Sequence, residues 1–399
     1  MIRYFNPGHE VAVLNGSKFY MPPANVVNMQ RNLAFLPAYY SSVNDFIFVE
    51  DMPDSSFIRY LNDELGICVH VFNEASLIDS LNRPIGLDVD FWGITPQAIH
   101  KFETFSLKYE LNLSLPQWDE RYKQLSHRQA SYMCLKYLLD NSNHYSNDVL
   151  PRFFNELEEI EKYVEVNSNT KFLLKAPFSS SGRGLLWLPL GHLTRTEKQI
   201  IHGHLKKQGC VSIEKVLNKK LDFAMEFRCE DSDVNFIGFS LFRTNNKGAY
   251  ISNYIGSQCK IKETITDYIN PELLEETKTL LTDYLQNNIA AFYNGCIGVD
   301  MMVYEENGEY KLQPCVEINA RHTMGILALN ITERLTAENS EGYFYIDFNP
   351  GENSIFELHK EMIRKYPLIV ENKKIKSGYF SLCPVIPKTK YRAYLIIND

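Results

Sequence analysis

The sequence predicts an α/β protein of more than one domain, and three observations carry that prediction. Short apolar runs at Ile2 to Phe5, Phe46 to Val49 and Ile67 to Phe72, with an amphipathic stretch from Phe57 to Leu65, give the rhythm of strands separated by helices. A chain of 399 residues predicts two or three domains at roughly 100 to 200 residues each. Two long strand patterns flank Asn307-Gly308, the strongest short hairpin signal a sequence offers.

Composition narrows the function classes. Hydrophobic residues at 45% and charged residues at 23% match an ordinary globular chain rather than a disordered or fibrous one. A net charge of −8 provides no general pull toward nucleic acid or anionic membrane. The start, MIRYFNPGHE, lacks a signal-peptide apolar region, and no apolar run reaches the ~18 residues of a span, so a cytoplasmic location is expected. The eight cysteines show no CxxC or CxxH spacing and read as mostly buried thiols.

In chain order, the polar stretch from Pro116 to Ser126 closes the first α/β block. A helix carrying Met133, Leu135, Tyr137, Leu138 and Leu139 follows, then a helix from Phe154 to Val164. Strands are expected at Phe172 to Ala176 and Leu185 to Leu188, joined by a Ser/Gly loop, and at Cys210 to Ile213, Phe223 to Phe227, Asn235 to Phe242 and Ala249 to Ser252. Leu273, Thr277, Leu280, Leu281, Tyr284, Leu285 and Ile289 mark a long helix. Near the end, Ile375 to Ile397 alternates around Pro387 and reads as a two-strand addition.

The hairpin carries candidate chemistry. A turn centred on Asn307-Gly308 pairs Glu306 with Glu309, which sets Asp300 opposite Cys315 and Gly298 opposite Glu317. Asp300, Glu317 and Asn319 then share one face, while Val299, Met301, Val303, Leu312, Val316 and Ile318 supply the apolar one. On this register Asp300 and Glu317 are diagonal neighbours ~7–8 Å apart, close enough to share a cation, and oxygen ligands of this kind suit Mg²⁺. The bland alternative is a solvated carboxylate face, with Pro314 pointing to an edge strand.

Two further segments belong with it. Lys175 ends a strand and precedes Ala-Pro-Phe-Ser-Ser-Ser-Gly-Arg-Gly at 176 to 184, whose small residues let backbone N–H groups wrap phosphate oxygens. The layout is strand, loop, strand, unlike the Walker loop or the dinucleotide fingerprint, which enter helices. Downstream, Glu214 and Asp222 stand at the ends of a short connection between two strands.

The lysine strand with its glycine loop, Glu-x-x-Leu with an Asp beyond, Gly-x-Asp and Glu-x-Asn-x-Arg, in that order, resemble the ATP-grasp superfamily. The resemblance implies a Rossmann-like N-terminal α/β domain at 1–116 and an ATP-grasp domain at 117–345 with a lid around 150–215; it does not reach 346–399, which its alternation marks as a β-containing C-terminal extension. It implies that Lys175 contacts ATP phosphates, that Ser179, Ser180, Ser181, Gly182 and Gly184 close as a lid, that Glu214, Lys215, Val216 and Leu217 cradle adenine, and that Asp222 takes the ribose hydroxyls. Asp300 and Glu317 would hold one Mg²⁺ and Glu317 with Asn319 a second, Mn²⁺ being an alternative ion. Arg321 would face the transferring phosphoryl group or the substrate carboxylate.

Two departures stand out. The family's phosphate-binding lysine before the lid is replaced by Leu-Ser-His-Arg-Gln, with Arg128 or Lys123 as substitutes, and Gly298 stands where many ligases have a basic residue. Arg228, Arg243 and Arg321 are then candidates for the acyl-phosphate clamp.

The implied activity is an ATP-dependent ligase joining a small-molecule or peptide carboxylate to an amine through an acyl phosphate. A small-molecule kinase and a non-catalytic nucleotide-binding module are the alternatives. No nucleic-acid or membrane partner is expected, and the C-terminal stretch is left with two roles, packing on the grasp domain or joining a homodimer. Outside this set, Asn6-Pro-Gly-His-Glu10 reads first as a turn and second as a substrate loop through His9 or Glu10. His322 reads as structural, and Lys247 and Asn253 as lesser substrate candidates.

Overall fold

The computed structural model describes residues 1–76, 86–179 and 182–398. These form two compact units, the first from residues 1–119, 251–261 and 321–399 and the second from 120–250 and 262–320.

The first unit opens with β1 (Ile2–Tyr4), α1 (His9–Asn15), α2 (Ala24–Leu33), β2 (Phe46–Phe48), α3 (Ser55–Leu65), β3 (His70–Phe72), β4 (Leu87–Phe91), α4 (Pro96–Lys108) and β5 (Leu113–Ser114). The strands form a sheet in the order β3-β2-β1-β4-β5, parallel throughout. Alternation divides its side chains between two cores. Ile2, Tyr4, Phe46, Phe48, Val89 and Phe91 pack on Ala98, Ile99, Phe102 and Phe105 of α4. Phe5, Ile47 and Val49 face the other way, toward Leu33, Leu61 and Leu65 of α2 and α3. Local chemistry sets the helix ends: Asp54 accepts from Ser56 N to start α3, Gly66 at φ 65° stops it, and Thr95 caps α4 with Pro96 in its first turn.

The second unit continues with α5 (Glu120–Leu125), α6 (Arg128–Asn141), β6 (Arg152–Phe154), α7 (Leu157–Val166), β7 (Phe172–Lys175), β8 (Leu185–Trp187), α8 (Arg195–Gln208) and β9 (Val211–Lys215). An antiparallel sheet β6-β9-β7-β8 buries Phe172, Leu174, Val211 and Ile213 against Ile160, Val164 and Ile201 of α7 and α8. Next come β10 (Asn218–Glu230) and β11 (Asp233–Thr244). β12 (Tyr250–Ile255) and α9 (Gln258–Thr266) carry the chain's excursion through the first unit, and α10 (Pro271–Asn288), β13 (Gly295–Glu306) and β14 (Glu309–Asn319) complete the second. The strands β14-β13-β10-β11 are antiparallel neighbours, with α6 packed on β14 and α10 on β11 and α6.

The final segment returns to the first unit as α11 (Met324–Leu335), β15 (Gly342–Phe348), α12 (Ser354–Lys365), β16 (Ile369–Glu371), β17 (Lys374–Ser381) and β18 (Tyr391–Ile397). With β12 these strands run antiparallel in the order β12-β15-β18-β17-β16. Leu327, Ile331, Leu335, Phe344, Ala393, Leu395 and Ile397 join Phe5, Leu33 and Leu36 in one core. Among the described residues, no helix is long and apolar enough to cross a membrane.

Two expectations need correction. The hairpin turns at Asn307 and Gly308, φ 55° and 82°, and follows the expected pairing from Glu306↔Glu309 as far as Met302↔Gln313. Beyond that the register shifts by two residues, so Asp300 lies directly opposite Glu317 and Gly298 opposite Asn319. Pro314 cannot donate to the ladder, and Cys315 N turns aside to Gln313 Oε1 at 3.3 Å, which together accommodate a bulge. Because the shift is even, side-chain parity survives and the three polar residues keep a common face. Asp222, expected in a connection, lies inside β10 opposite Met302 and Phe242, since ladder pairing with β13 recruits the polar Asn-Lys-Lys segment into the strand.

Candidate functional site

Lys175 ends β7, and its side chain is only 7% exposed. Ladder pairing sets Leu173 opposite Glu214 and Lys175 opposite Ser212, so Lys175 and Glu214 are diagonal neighbours, and Nζ meets Glu214 Oε1 at 2.5 Å. A buried ammonium needs such a partner. The following loop is closed by Ala176 N donating to Gly184 O at 2.9 Å. Gly184 has no room for a Cβ, which would fall 2.4 Å from Ser179 Cβ, and Gly182 adopts φ 75°. Ser180 and Ser181 lie outside the described residues.

Arg128, the first residue of α6, draws loop and hairpin together. Its Nε donates to Ala176 O at 3.0 Å, and one terminal nitrogen donates to Ser179 Oγ at 3.3 Å and pairs with Glu317 Oε1 at 3.3 Å. A planar fork with several donors suits this shared role better than a lysine ammonium. A narrow cavity beside it is lined by Arg128, Tyr132, Lys175, Ser212, Glu214 and Gln313.

On the hairpin, Ala224, Asp300 and Glu317 form one cross-strand row, and Glu226, Gly298 and Asn319 the next row on the same face. Like charges directly opposite each other in an antiparallel pair are destabilising. Here Arg128 offsets Glu317, and Asn319 Nδ2 donates to Asp300 Oδ2 at 3.2 Å. Two carboxylates and an amide present the hard oxygen donors that Mg²⁺ prefers, so the residues fit that ion. Among the described residues, no group of three or more His, Cys, Asp and Glu side chains is assembled for a metal.

Glu226 was not singled out in the sequence. It is 1% exposed, accepts from Ser240 Oγ at 2.9 Å and faces the side-chain-free Gly298. The signal was the alternation Asp222, Ala224, Glu226 along a strand otherwise rich in Phe and Met, with a glycine on the neighbouring strand leaving room for it.

The other expected nucleotide contacts are more dispersed. Lys215 pairs with Glu306 at 2.7 Å, near the hairpin tip. Val216 N donates to Lys171 O at 2.9 Å, and Leu217 O accepts from Lys219 N at 3.0 Å. Asp222 is buried, paired with Lys219, and accepts from Thr244 Oγ1 at 2.9 Å.

Arg321 belongs to the first unit. Its Nε donates to Glu10 Oε1 at 2.8 Å and its NH1 to His322 O at 3.1 Å. Burial alone would raise the Glu10 pKa, but Arg321 and then His9 outweigh it and bring it down to about 2. Burial lowers His9 to about 4, so its imidazole is neutral. His322 Nε2 meets Asp90 Oδ2 at 3.0 Å, its ring stacks on Tyr40 at 4.5 Å, and its backbone N–H donates to Trp92 O.

No protein-family model matches the sequence, and no curated protein does. Solved structures do. The biotin carboxylase domain of Hydrogenobacter thermophilus 2-oxoglutarate carboxylase, in complex with MgADP, ADP and bicarbonate, aligns with all of this chain and 86% of its own at 12% identity and TM-score 0.54. N5-carboxyaminoimidazole synthetase from Staphylococcus aureus, complexed with ADP, aligns with all of this chain and 93% of its own at 14% identity and TM-score 0.47. A protein from Archaeoglobus fulgidus aligns with all of this chain and 99% of its own at 12% identity and TM-score 0.44.

Proposed function

Starting from a chain that has the ATP-grasp fold, we propose that it is an ATP- and Mg²⁺-dependent ligase joining a small-molecule or peptide carboxylate to an amine through an acyl phosphate. The observation that carries this reading is the directly opposed pair Asp300 and Glu317 with Asn319 on the same face, an oxygen-donor set beside Arg128.

In this reading Asp300 and Glu317 would hold one Mg²⁺ and Glu317 with Asn319 a second, ions that would neutralise phosphate charge when bound. Lys175 and Arg128 present cations to the phosphates, and the small residues from Ser179 to Gly184 bring backbone N–H groups to their oxygens. Glu214 to Leu217 flank the adenine, and Asp222 accepts from the ribose hydroxyls in place of Lys219 and Thr244. Arg321, two residues beyond Asn319 in sequence, clamps the substrate carboxylate. A carboxylate oxygen attacks the γ-phosphorus, and the bond to the β-γ bridging oxygen breaks, releasing ADP. An amine then attacks the acyl carbon, phosphate leaves with the bonding pair, and the nitrogen loses a proton. The protein's contribution is alignment and charge stabilisation.

Thermal unfolding with ATP, with and without Mg²⁺, tests the reading, because a ligand specific for the native state raises Tm. The wild type should show a Mg²⁺-dependent rise that Asp300→Asn abolishes; no Mg²⁺-dependent rise in the wild type would sink it. Phosphate release that requires both acid and amine would then separate a ligase from a kinase, which leaves the phosphoryl group on its acceptor.

A further inference from the structure

The parallel sheet of the first unit has its topological switch point between β1 and β4, the two strands from which the order runs outward in opposite senses. In open α/β sheets the crevice outside the carboxyl ends of such strands is where ligands bind. Asn6 follows β1 and Gly93 follows β4, and they lock the two loops by a reciprocal pair of hydrogen bonds, Asn6 Nδ2 to Gly93 O at 2.7 Å and Gly93 N to Asn6 Oδ1 at 3.1 Å. The close approach requires glycine, since a Cβ on Gly93 would fall 2.5 Å from the His9 ring.

Two charges of opposite sign meet at this rigid corner, Glu10 and Arg321, 2.8 Å apart, with side-chain exposures of 10% and 19%. Beside them His9 is 5% exposed, and its Nδ1 has no hydrogen-bond partner among the described residues. A buried ion pair is a weak stability device, and an unmet buried acceptor or donor is costly. Asp90 is already balanced by Arg3 and His322. The corner therefore offers one negative group, one positive group and a neutral imidazole. A ligand with a single charge would leave one partner uncompensated, whereas a zwitterion satisfies both.

We infer that this corner is a binding site for a small ligand carrying an ammonium and a carboxylate on neighbouring atoms, an α-amino acid or a molecule with that end group. Glu10 and the His9 imidazole receive the ammonium, and Arg321 receives the carboxylate. That this ligand serves as a ligase substrate rests on the reading above; its binding does not.

The test is thermal unfolding of the full chain with each common L-amino acid at millimolar concentration, without nucleotide, alongside a separate MgATP titration. At least one amino acid should raise Tm saturably, and its N-acetyl derivative and its methyl ester should each bind at least about tenfold more weakly, because either modification removes a charge the site is built to pair. Glu10→Gln should weaken the amino-acid response by about tenfold or more and keep the MgATP response. The inference is overturned if no amino acid raises Tm, if the N-acetyl or ester form binds as well as the parent, or if Glu10→Gln binds the parent unchanged. Should Glu10→Gln fail to fold, the comparison of free and modified amino acids on the wild type decides alone. An amino-acid response without a MgATP response would refute the ligase reading and leave this site standing.

Discussion

Arg128 and Asp300 make opposite predictions about stability without metal. Arg128 offsets Glu317 and tethers Ala176 and Ser179. Arg128→Ala should therefore destabilise the chain by about 1–2 kcal/mol, from lost charge-assisted bonds and an opposed carboxylate pair left with less compensation. Asp300→Asn removes one of the two opposed charges and should be neutral or stabilising by up to about 1 kcal/mol in EDTA, while losing any gain from added Mg²⁺. Urea midpoints of both variants with and without Mg²⁺ check the pair of signs. Arg128 was legible in the sequence as one of two basic residues near the missing lysine, but the choice between it and Lys123 required knowing that the first turn of α6 meets the loop after β7. Glu226 was legible only in part: the alternation Asp222, Ala224, Glu226 marks it, but its place depends on which strand lies beside Gly298, a fact of long-range pairing.

The hairpin β13–β14 is the element that the sequence described best, and its one error is instructive. Asn307-Gly308 specifies a turn with two positive φ values, so Gly308→Ala, at φ 82°, should cost about 1 kcal/mol, read as a lower Tm with unchanged ligand response. Alternation placed Asp300, Glu317 and Asn319 on one face correctly, yet the bulge near Pro314 moved their pairing by two. Turn chemistry fixes register only as far as the ladder remains regular, and a proline inside a strand marks where that assurance ends. Polar Asn218-Lys-Lys220 failed as a strand signal for a related reason: pairing partners decide β-structure more than composition does.

Over the whole molecule, acid sensitivity follows from two histidines, His9 buried and His359 half-buried. His9 faces Glu10 and Arg321, and His359 faces Arg392 and the Tyr379 hydroxyl; burial brings each down to about 4. Between pH 4 and 6.5 the unfolded chain binds more protons than the native one, so stability rises with pH across that window and falls as pH drops through it. Glu10, brought down to about 2, extends the loss below pH 4.5 in the same direction. Urea midpoints from pH 7 to 4 should decline, and His359→Gln should flatten the slope. The interleaving of the two units has a separate consequence, for synthesis. The core holding Phe5, Leu33 and Leu61 also needs Leu327, Phe344, Ala393 and Leu395, so residues 1–119 cannot finish folding during synthesis until residues as far along as Leu395 have followed. During that interval their apolar side chains are without their partners, whereas the second unit already has all of its residues by position 320. A nascent chain arrested far enough beyond residue 320 for that residue to have left the ribosome, but before Ala393 and Leu395 are made, should therefore protect the second unit from protease while residues 1–119 stay cleavable.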